Sequence, residues 1–439
     1  MPDIKKYLNS AGYTTVPDKC YENIQTWLSW YCGKVNSFHT YNQYNGKANV
    51  KRSRASLGMA KCVCEDWANL LMNEHVSVNV CRKKADTFLK NVFDNNNFYV
   101  RANRLIELCF ATGTGAFVEY LSDGKIKIDY IRADMIFPLS WENGEITQCA
   151  FASRKVIDGK ECIYLNMHIK RGETYTVINK LFEIKNDTLC LTSLPVSIAE
   201  ETDTKSTKPL FQIIMPNIVN NACLDSPMGI SVFAGAIDIL KGIDLVYDSY
   251  QNEFRLGKKR ILVPASMAQI QNGASGIMPV FDDNDTEFYA MADRSLNELK
   301  EIDMSLRAEP HELALQRNLD LLSQRCGLGS GRYNSQNATA PKTATEVISE
   351  KSDLYVNICK NELILKRALT ELAKSILFLG GFKENYDVSV HFDDSIIEDS
   401  GAKADRAIEE FKNGIISKQE YLVRVYGKVP VTDRKDEKT

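Results

Sequence analysis

The chain is poor in the residues from which common active sites are built, and each shortage excludes something. Its five histidines stand far apart, at 39, 75, 168, 311 and 391, and its twelve cysteines include no CxxC pair; the closest two, Cys62 and Cys64, are separated only by Val63. Structural zinc sites gather Cys and His through such knuckles, so no metal site is expected, and the thiols are read as reduced and mostly buried. No run approaches the ~18 continuous apolar residues of a membrane span, and the N-terminal MPDIKKYLNS lacks the apolar core of a signal peptide. The expected setting is the cytosol, or assembly there, without membrane contact. An excess of one charge is missing too: 54 Lys and Arg stand against 57 Asp and Glu, a net charge of -3. Contact with nucleic acid would have to come from local patches or repeated copies.

What is present is an ordinary globular mixture over 439 residues, 44% hydrophobic and 25% charged, which excludes disordered, collagen-like and coiled-coil chains. Over residues 1–112 the apolar spacing is helical, at 4–8, 21–30, 56–71, 86–92 and 102–112; Leu57, Ala60, Cys64, Trp67 and Leu71 recur at three and four. Gly113 and Gly115 stop that run. Strand patterns follow at 116–121, 125–132, 146–153, 162–169, 174–184 and 210–215, separated by turn pairs such as Asp123-Gly124, Asn143-Gly144 and Asp158-Gly159. They predict a meandering antiparallel sheet.

Apolar residues at 230, 233, 237, 240, 243, 247, 250 and 254 predict a long helix over 230–256, about 40 Å at 1.5 Å per residue. Its other face carries Asp238, Lys241, Asp244, Asp248 and Glu253. Short strands are expected at 261–264, 277–281 and 287–290, and a second helix over 310–326, ended by Gly327. A third long helix, 344–379, opens with the Thr343/Glu346 capping pattern and ends at Gly380 and Gly381. A strand at 386–392 and short helices at 401–412 and 417–426 complete an α+β chain whose last residues read as a solvated tail.

No active site emerges. GLGSGR at 327–332 has no preceding strand and no Lys-Ser/Thr after it, so it reads as a structural loop rather than a phosphate cradle. Asp282-Asp283 and Asp393-Asp394 fall where solvated turns are expected, and no Ser-His-Asp arrangement is visible. The most distinctive charge feature is Lys258, Lys259 and Arg260, with Arg255 one turn earlier. In one copy it is a solvated helix end favoured by the helix dipole; repeated around a ring it becomes a positive belt that can face phosphates.

Several runs, in a definite order, carry a resemblance. They are SLGMAKCVCEDWANLLMNE at 56–74, IRADMIFPLSWENGEITQCAFAS at 131–153, SPMGISVFAGAIDILKGIDLVYDSYQNEFRLGKKRILV at 226–263, TATEVISEKSDLY at 343–355 and VHFDDSIIEDSGAKADRAIEEFKNGIISKQEYL at 390–422. Together they resemble a tailed-bacteriophage portal protein of the siphovirus type found with Gram-positive hosts. The resemblance implies a wing at 1–229 with a helical N-terminal part and an antiparallel sheet, a stem helix at 230–257, a small α/β clip at 258–308 and a second stem helix at 310–326. It further implies a tunnel loop at 327–342, a long wing–crown helix at 343–380, a wing strand at 381–395 and a short helical crown at 396–439.

By the same resemblance the protein is no enzyme and needs no cofactor. It forms a homododecameric ring at one capsid vertex of the virion, through which double-stranded DNA passes without sequence specificity during packaging and ejection. Its implied partners are the terminase large subunit, a head-completion or adaptor protein, and the major capsid and scaffolding proteins. Arg332, Asn334, Gln336 and Asn337 in the loop, with Lys241, Lys258, Lys259 and Arg260, are the DNA-channel candidates. Asn272, Gly273 and Ser275 at the clip tip are the candidates for docking terminase or adaptor. A minor capsid or head–tail adaptor protein would not need the helix–clip–helix–loop–helix order, and a capsid-associated nuclease would need clustered carboxylates or histidines.

Overall fold

The structure is a computed structural model that describes every residue except 1, 45–47, 123, 158, 186–187, 196–197, 258–259, 265–269, 274–275, 280–287, 292–299, 303–304, 334–343, 383–385, 393–407, 413–420 and 422–439. It is a mixture of helix and strand, α+β as expected, in two units. One comprises Met1–Trp27, Cys64–Val232 and Pro341–Thr439; the other comprises Leu28–Val63 and Phe233–Ala340.

In the first unit the predicted helices appear with longer ends, as Pro2–Ser10, Lys83–Asn95 and Phe98–Thr112. The last ends where expected: Gly113 takes φ 86° and its N–H donates to the Cys109 carbonyl at 2.7 Å. A Cβ at Gly113 would lie 2.6 Å from the Gly229 carbonyl oxygen, so both the left-handed backbone and the close approach demand glycine. Among the buried side chains, Trp67 stacks on Phe110 with centroids 5.3 Å apart, and Phe93 stacks on Phe98 at 4.1 Å. Burying side chains of this size contributes about 1.5–3 kcal/mol each.

The single meander divides into two sheets. Ile136–Glu142, Glu145–Ile157, Lys160–Arg171, Thr174–Lys185 and Thr188–Thr192 pair in sequence, and Glu201–Asp203 adds to Thr174–Lys185. Gly115–Ser122 and Lys125–Arg132 instead form a three-stranded sheet with Phe211–Ile214. A 3-10 turn at Ala133–Met135 makes the break. There the Arg132 guanidinium holds Asp134 through two bonds, Nε to Oδ1 at 2.5 Å and Nη2 to Oδ2 at 2.9 Å, and the chain leaves one sheet for the other. Ile136–Glu142 contains Pro138 and lies at the sheet edge, where a missing N–H is tolerated.

The helical reading of residues 1–112 also passed over Ser77–Val80, which pairs antiparallel with Val388–His391. That partner is some three hundred residues away, so local periodicity could not reveal it. The long helix Ala344–Leu379 has the predicted ends and buries Ile358, Leu365, Leu369, Leu372 and Ile376 along one side. Thr343 and most of the helices expected at 401–412 and 417–426 lie outside the described residues; of the first, 408–412 is helical. All twelve cysteines are free thiols, but only six are buried, fewer than expected.

In the second unit, Thr40–Tyr44 and Asn49–Ser53 form a hairpin absent from the helical reading. The principal helix is Ile237–Leu256, 20 residues rather than 230–256, and therefore about 30 Å long. Residues 230–232 belong to the first unit, where Ile230 is buried and the Val232 N–H donates to the Phe110 carbonyl; their apolar character reflects that burial, not a helix face. The second helix is Ala308–Arg325, and Gly327 follows it at φ 77°. Gly242 lets the two helices approach, since a Cβ there would sit 3.2 Å from Asn318 Oδ1. Between them Arg260–Pro264 pairs in parallel with Phe288–Met291 and antiparallel with Lys300–Ile302, and Ile270–Gly273 forms a hairpin with Gly276–Pro279.

Two ionisable side chains are buried in the first unit without a hydrogen-bond partner among the described residues, Glu119 and His168. Burial pushes the Glu119 carboxyl well above its ordinary range and lowers the His168 imidazole to about 3. The unfolded histidine titrates near 6.5. The stability tied to a neutral His168 is therefore complete above that pH and declines as pH falls toward 3, by up to about 1.4 kcal/mol per unit. Glu119 acts oppositely: its stability is complete below its unfolded pKa and is lost as pH rises. We expect His168→Leu, which keeps the apolar contact with Phe151 and Phe211, to lose clearly less thermal stability than the wild type between about pH 7 and about pH 5. Parallel melting curves for the two proteins would remove His168 from the acid response.

Candidate nucleic-acid interface

The candidate channel residues fall within the second unit, whose principal helix also carries the buried Asp244. Its side chain projects from the middle of Ile237–Leu256 and is 4% exposed. Oδ2 accepts from His39 Nε2 at 2.9 Å and from the Ser56 hydroxyl at 2.9 Å, and Oδ1 accepts from the Leu57 N–H at 2.8 Å. His39 Nδ1 accepts from the Val35 N–H at 2.9 Å, so the proton on Nε2 faces the carboxylate. One turn further, Asp248 Oδ1 accepts from the Ala55 N–H at 3.0 Å. Arg54 closes the arrangement: its guanidinium lies 4.2 Å from the Phe38 ring centroid and donates to the Phe38 carbonyl at 2.6 Å.

The helix face expected to be open and polar is thus mostly spent on internal bonds. Asp244 and Asp248 hold residues 55–57, and Glu253 is clasped by Arg307, with Nε at 3.0 Å and Nη2 at 2.9 Å. The Arg307 guanidinium keeps the Glu253 carboxyl below its ordinary range. Lys241 and Asp238 remain at the surface, joined at 2.8 Å. The sequence reading placed Asp244 on the open face, but it follows the buried Leu240 by four residues and lies on the same side, buried. His39 and Ser56 carried no comparable signal.

The basic cluster does not continue one helix. The helix ends at Leu256, Gly257 bonds back to the Glu253 carbonyl at 2.8 Å, and Arg260 opens a strand. Arg255 donates to Asn252 at 2.7 Å, and Lys258 and Lys259 lie outside the described residues. Asn272 and Gly273 end the first strand of the hairpin, opposite Ile277 and Gly276, while Ser275 is outside the described residues.

The glycine-rich loop begins as a built structure rather than a free hinge. Gly327, Gly329 and Gly331 all have φ near 80°, and the buried Leu328 donates its N–H to the Ser323 carbonyl at 2.9 Å. The Ser323 hydroxyl donates to the Gly329 carbonyl. Arg332 follows, exposed, in a turn; Asn334, Gln336 and Asn337 are outside the described residues. Among the described residues no three His, Cys, Asp or Glu side chains gather as metal ligands, and no helix is long and apolar enough to cross a membrane.

A family model described as phage portal protein, SPP1 Gp6-like, matches residues 16–437. Comparison with curated proteins gave no match.

The Asp244 arrangement predicts a large effect of a small change. Asp244→Ala strands buried donors on His39, Ser56 and Leu57, and should lower the unfolding free energy by about 3–5 kcal/mol; Asp244→Asn, which keeps the shape, should cost less. Urea unfolding measures both, and a loss below about 1 kcal/mol for the alanine variant would mean that water replaces the carboxylate without penalty.

Proposed function

The chain belongs to the phage portal protein family, SPP1 Gp6-like, and from that membership we propose how its parts divide the portal's work. The observation that carries the reading is the extent of the match, residues 16–437 of 439. A portal protein is a structural component of the virion capsid that forms the ring-shaped channel at one vertex for DNA packaging and ejection, and it engages capsid and terminase. In the proposed division, residues 1–229 and 381–395 serve as wing, 230–257 and 310–326 as stem, 258–308 as clip, 327–342 as tunnel loop, 343–380 as the helix to a short crown at 396–439. Twelve copies close the ring in the cytoplasm of a Gram-positive host. The clip tip, with Asn272, Gly273 and Ser275, meets the terminase large subunit and then a head-completion protein, while the wing faces the major capsid and scaffolding proteins.

The physical features of the second unit support this reading. Leu245, Phe254 and Leu313 are large apolar side chains left well exposed on its helices, as expected where a neighbouring copy covers them. A head-to-tail contact whose rotation closes makes a ring. A conduit must also let phosphates pass. Acidic groups bound internally, and a lysine neutralised by Asp238, leave little net charge to hold a polyanion. Arg332 supplies one cation per copy, and the ring multiplies it, together with Lys258, Lys259 and Arg260, into a weak, salt-sensitive collar.

Arg332→Glu is expected to leave ring assembly intact while lowering DNA packaging or retention several-fold. Native mass measurement and negative-stain images report the ring; protection of packaged DNA from nuclease reports the channel. A strictly monomeric protein under all conditions would overturn the ring, and full packaging by Arg332→Glu would remove the loop from the channel.

A further inference from the structure

The end of the long helix builds a second charged feature, in the first unit and independent of the proposed channel. Gly380 and Gly381 stop the helix Ala344–Leu379, and the chain turns back so that the Phe382 N–H donates to the Leu377 carbonyl at 3.0 Å. A Cβ at Gly380 would lie 2.4 Å from the Phe88 ring, so glycine is what allows Phe88 to lie against the helix end. Phe382 packs between Phe88, 5.1 Å away, and Tyr386, 5.9 Å away. It also lines two cavities. One, of about 390 Å³, has Lys205, Lys208 and Lys374 on its walls with Phe378 and Tyr386; the other, of about 600 Å³, has Lys83, Lys84 and Phe88.

The charge of this groove is unbalanced. Lys208 and Lys374 share one carboxylate, Glu371; burial raises its pKa, but the two ammonium bonds outweigh that and hold it below the ordinary range. Lys83, Lys84 and Lys205 have no carboxylate partner for their side chains among the described residues. Lys205 sits at φ 55°, with its N–H bound to Asp203 Oδ1 at 2.9 Å, so the backbone accepts an unfavourable conformation to present it. Among the described residues, five lysines thus line the two cavities beside the apolar Phe382, with Glu371 bonded to two of them and Asp203 to the Lys205 N–H.

We propose that this groove docks an acidic peptide segment of a partner protein, with Asp or Glu side chains on the lysines and a leucine or phenylalanine on the Phe382 floor. Charge complementarity selects the sign of the occupant, and the floor selects its kind. A nucleic acid offers phosphates but no aliphatic side chain for the floor, where Phe382 meets Phe88 at a 49° tilt and Tyr386 edge-on at 77°. A peptide presents carboxylates and an apolar side chain together, which the two cavities on either side of Phe382 can receive.

The test uses the full chain and a fluorescent synthetic peptide of Asp and Glu around a central Leu-Phe pair, read by anisotropy at low salt. We expect saturable binding that weakens as salt is raised, and a loss of about tenfold or more in the doubly reversed variant Lys83→Glu, Lys205→Glu. Lys125→Glu, on the exposed end of a strand outside the groove, should bind like the wild type. Absence of peptide binding, equal binding by the double variant, or equal binding of the Asn/Gln counterpart would overturn the proposal. So would an oligonucleotide, double- or single-stranded, that binds at the same lysines when the peptide does not.

Discussion

A buried carboxylate is tolerated only when its donors are all in place, and Asp244 makes that condition a constraint on the whole second unit. Removing such a group from water costs several kcal/mol, which its hydrogen bonds offset only in good geometry. Here the donors come from three points of one segment, His39, Ser56 and Leu57, and Asp248 adds a fourth contact at Ala55. Any slip of that segment along the helix would leave several polar groups buried without partners. The hairpin Thr40–Tyr44 with Asn49–Ser53 lies between these contacts in the chain and is therefore held at both ends.

The same contacts shape the electrostatics of a portal protein. A channel for DNA gains nothing from a strong grip, because every neutralised phosphate releases counterions and makes escape slower. In the second unit acidic side chains are held internally: Asp244 by three donors, Glu253 by Arg307 and Asp238 by Lys241.

In the first unit, shape constraints dominate. Gly113 and Gly229 approach so closely that a Cβ on Gly229 would fall 2.1 Å from the Gly113 carbonyl oxygen, and the Thr114 hydroxyl accepts the Gly229 N–H at 3.0 Å. This contact fixes the irregular segment before Ile237–Leu256 against the end of Phe98–Thr112. Around Gly380 a third glycine performs a similar service for Phe88, and the helix terminator becomes part of a basic, aromatic groove.

The sequence by itself determined the elements that depend on neighbours three, four or two residues away. The ends of Ala344–Leu379, the span of Lys125–Arg132 and the stop at Gly113 were all legible, because helix periodicity, strand alternation and left-handed glycine are local properties. The family was legible as well, from the order of several long runs. Of the candidate site, the sequence showed the basic residues and the glycines but not their use. Only the tertiary structure decided that Asp244 is buried, that the glycine loop starts pinned to Ser323, and that Ser77–Val80 pairs with Val388–His391. It also decided that residues 230–232 belong to the first unit rather than to the helix. The physical reason is common to all but the Ser323 bond, which spans only six residues. Each of the others depends on a partner group brought from elsewhere in the chain, and a pattern of hydrophobic and polar residues records that a side chain is buried without recording what buries it.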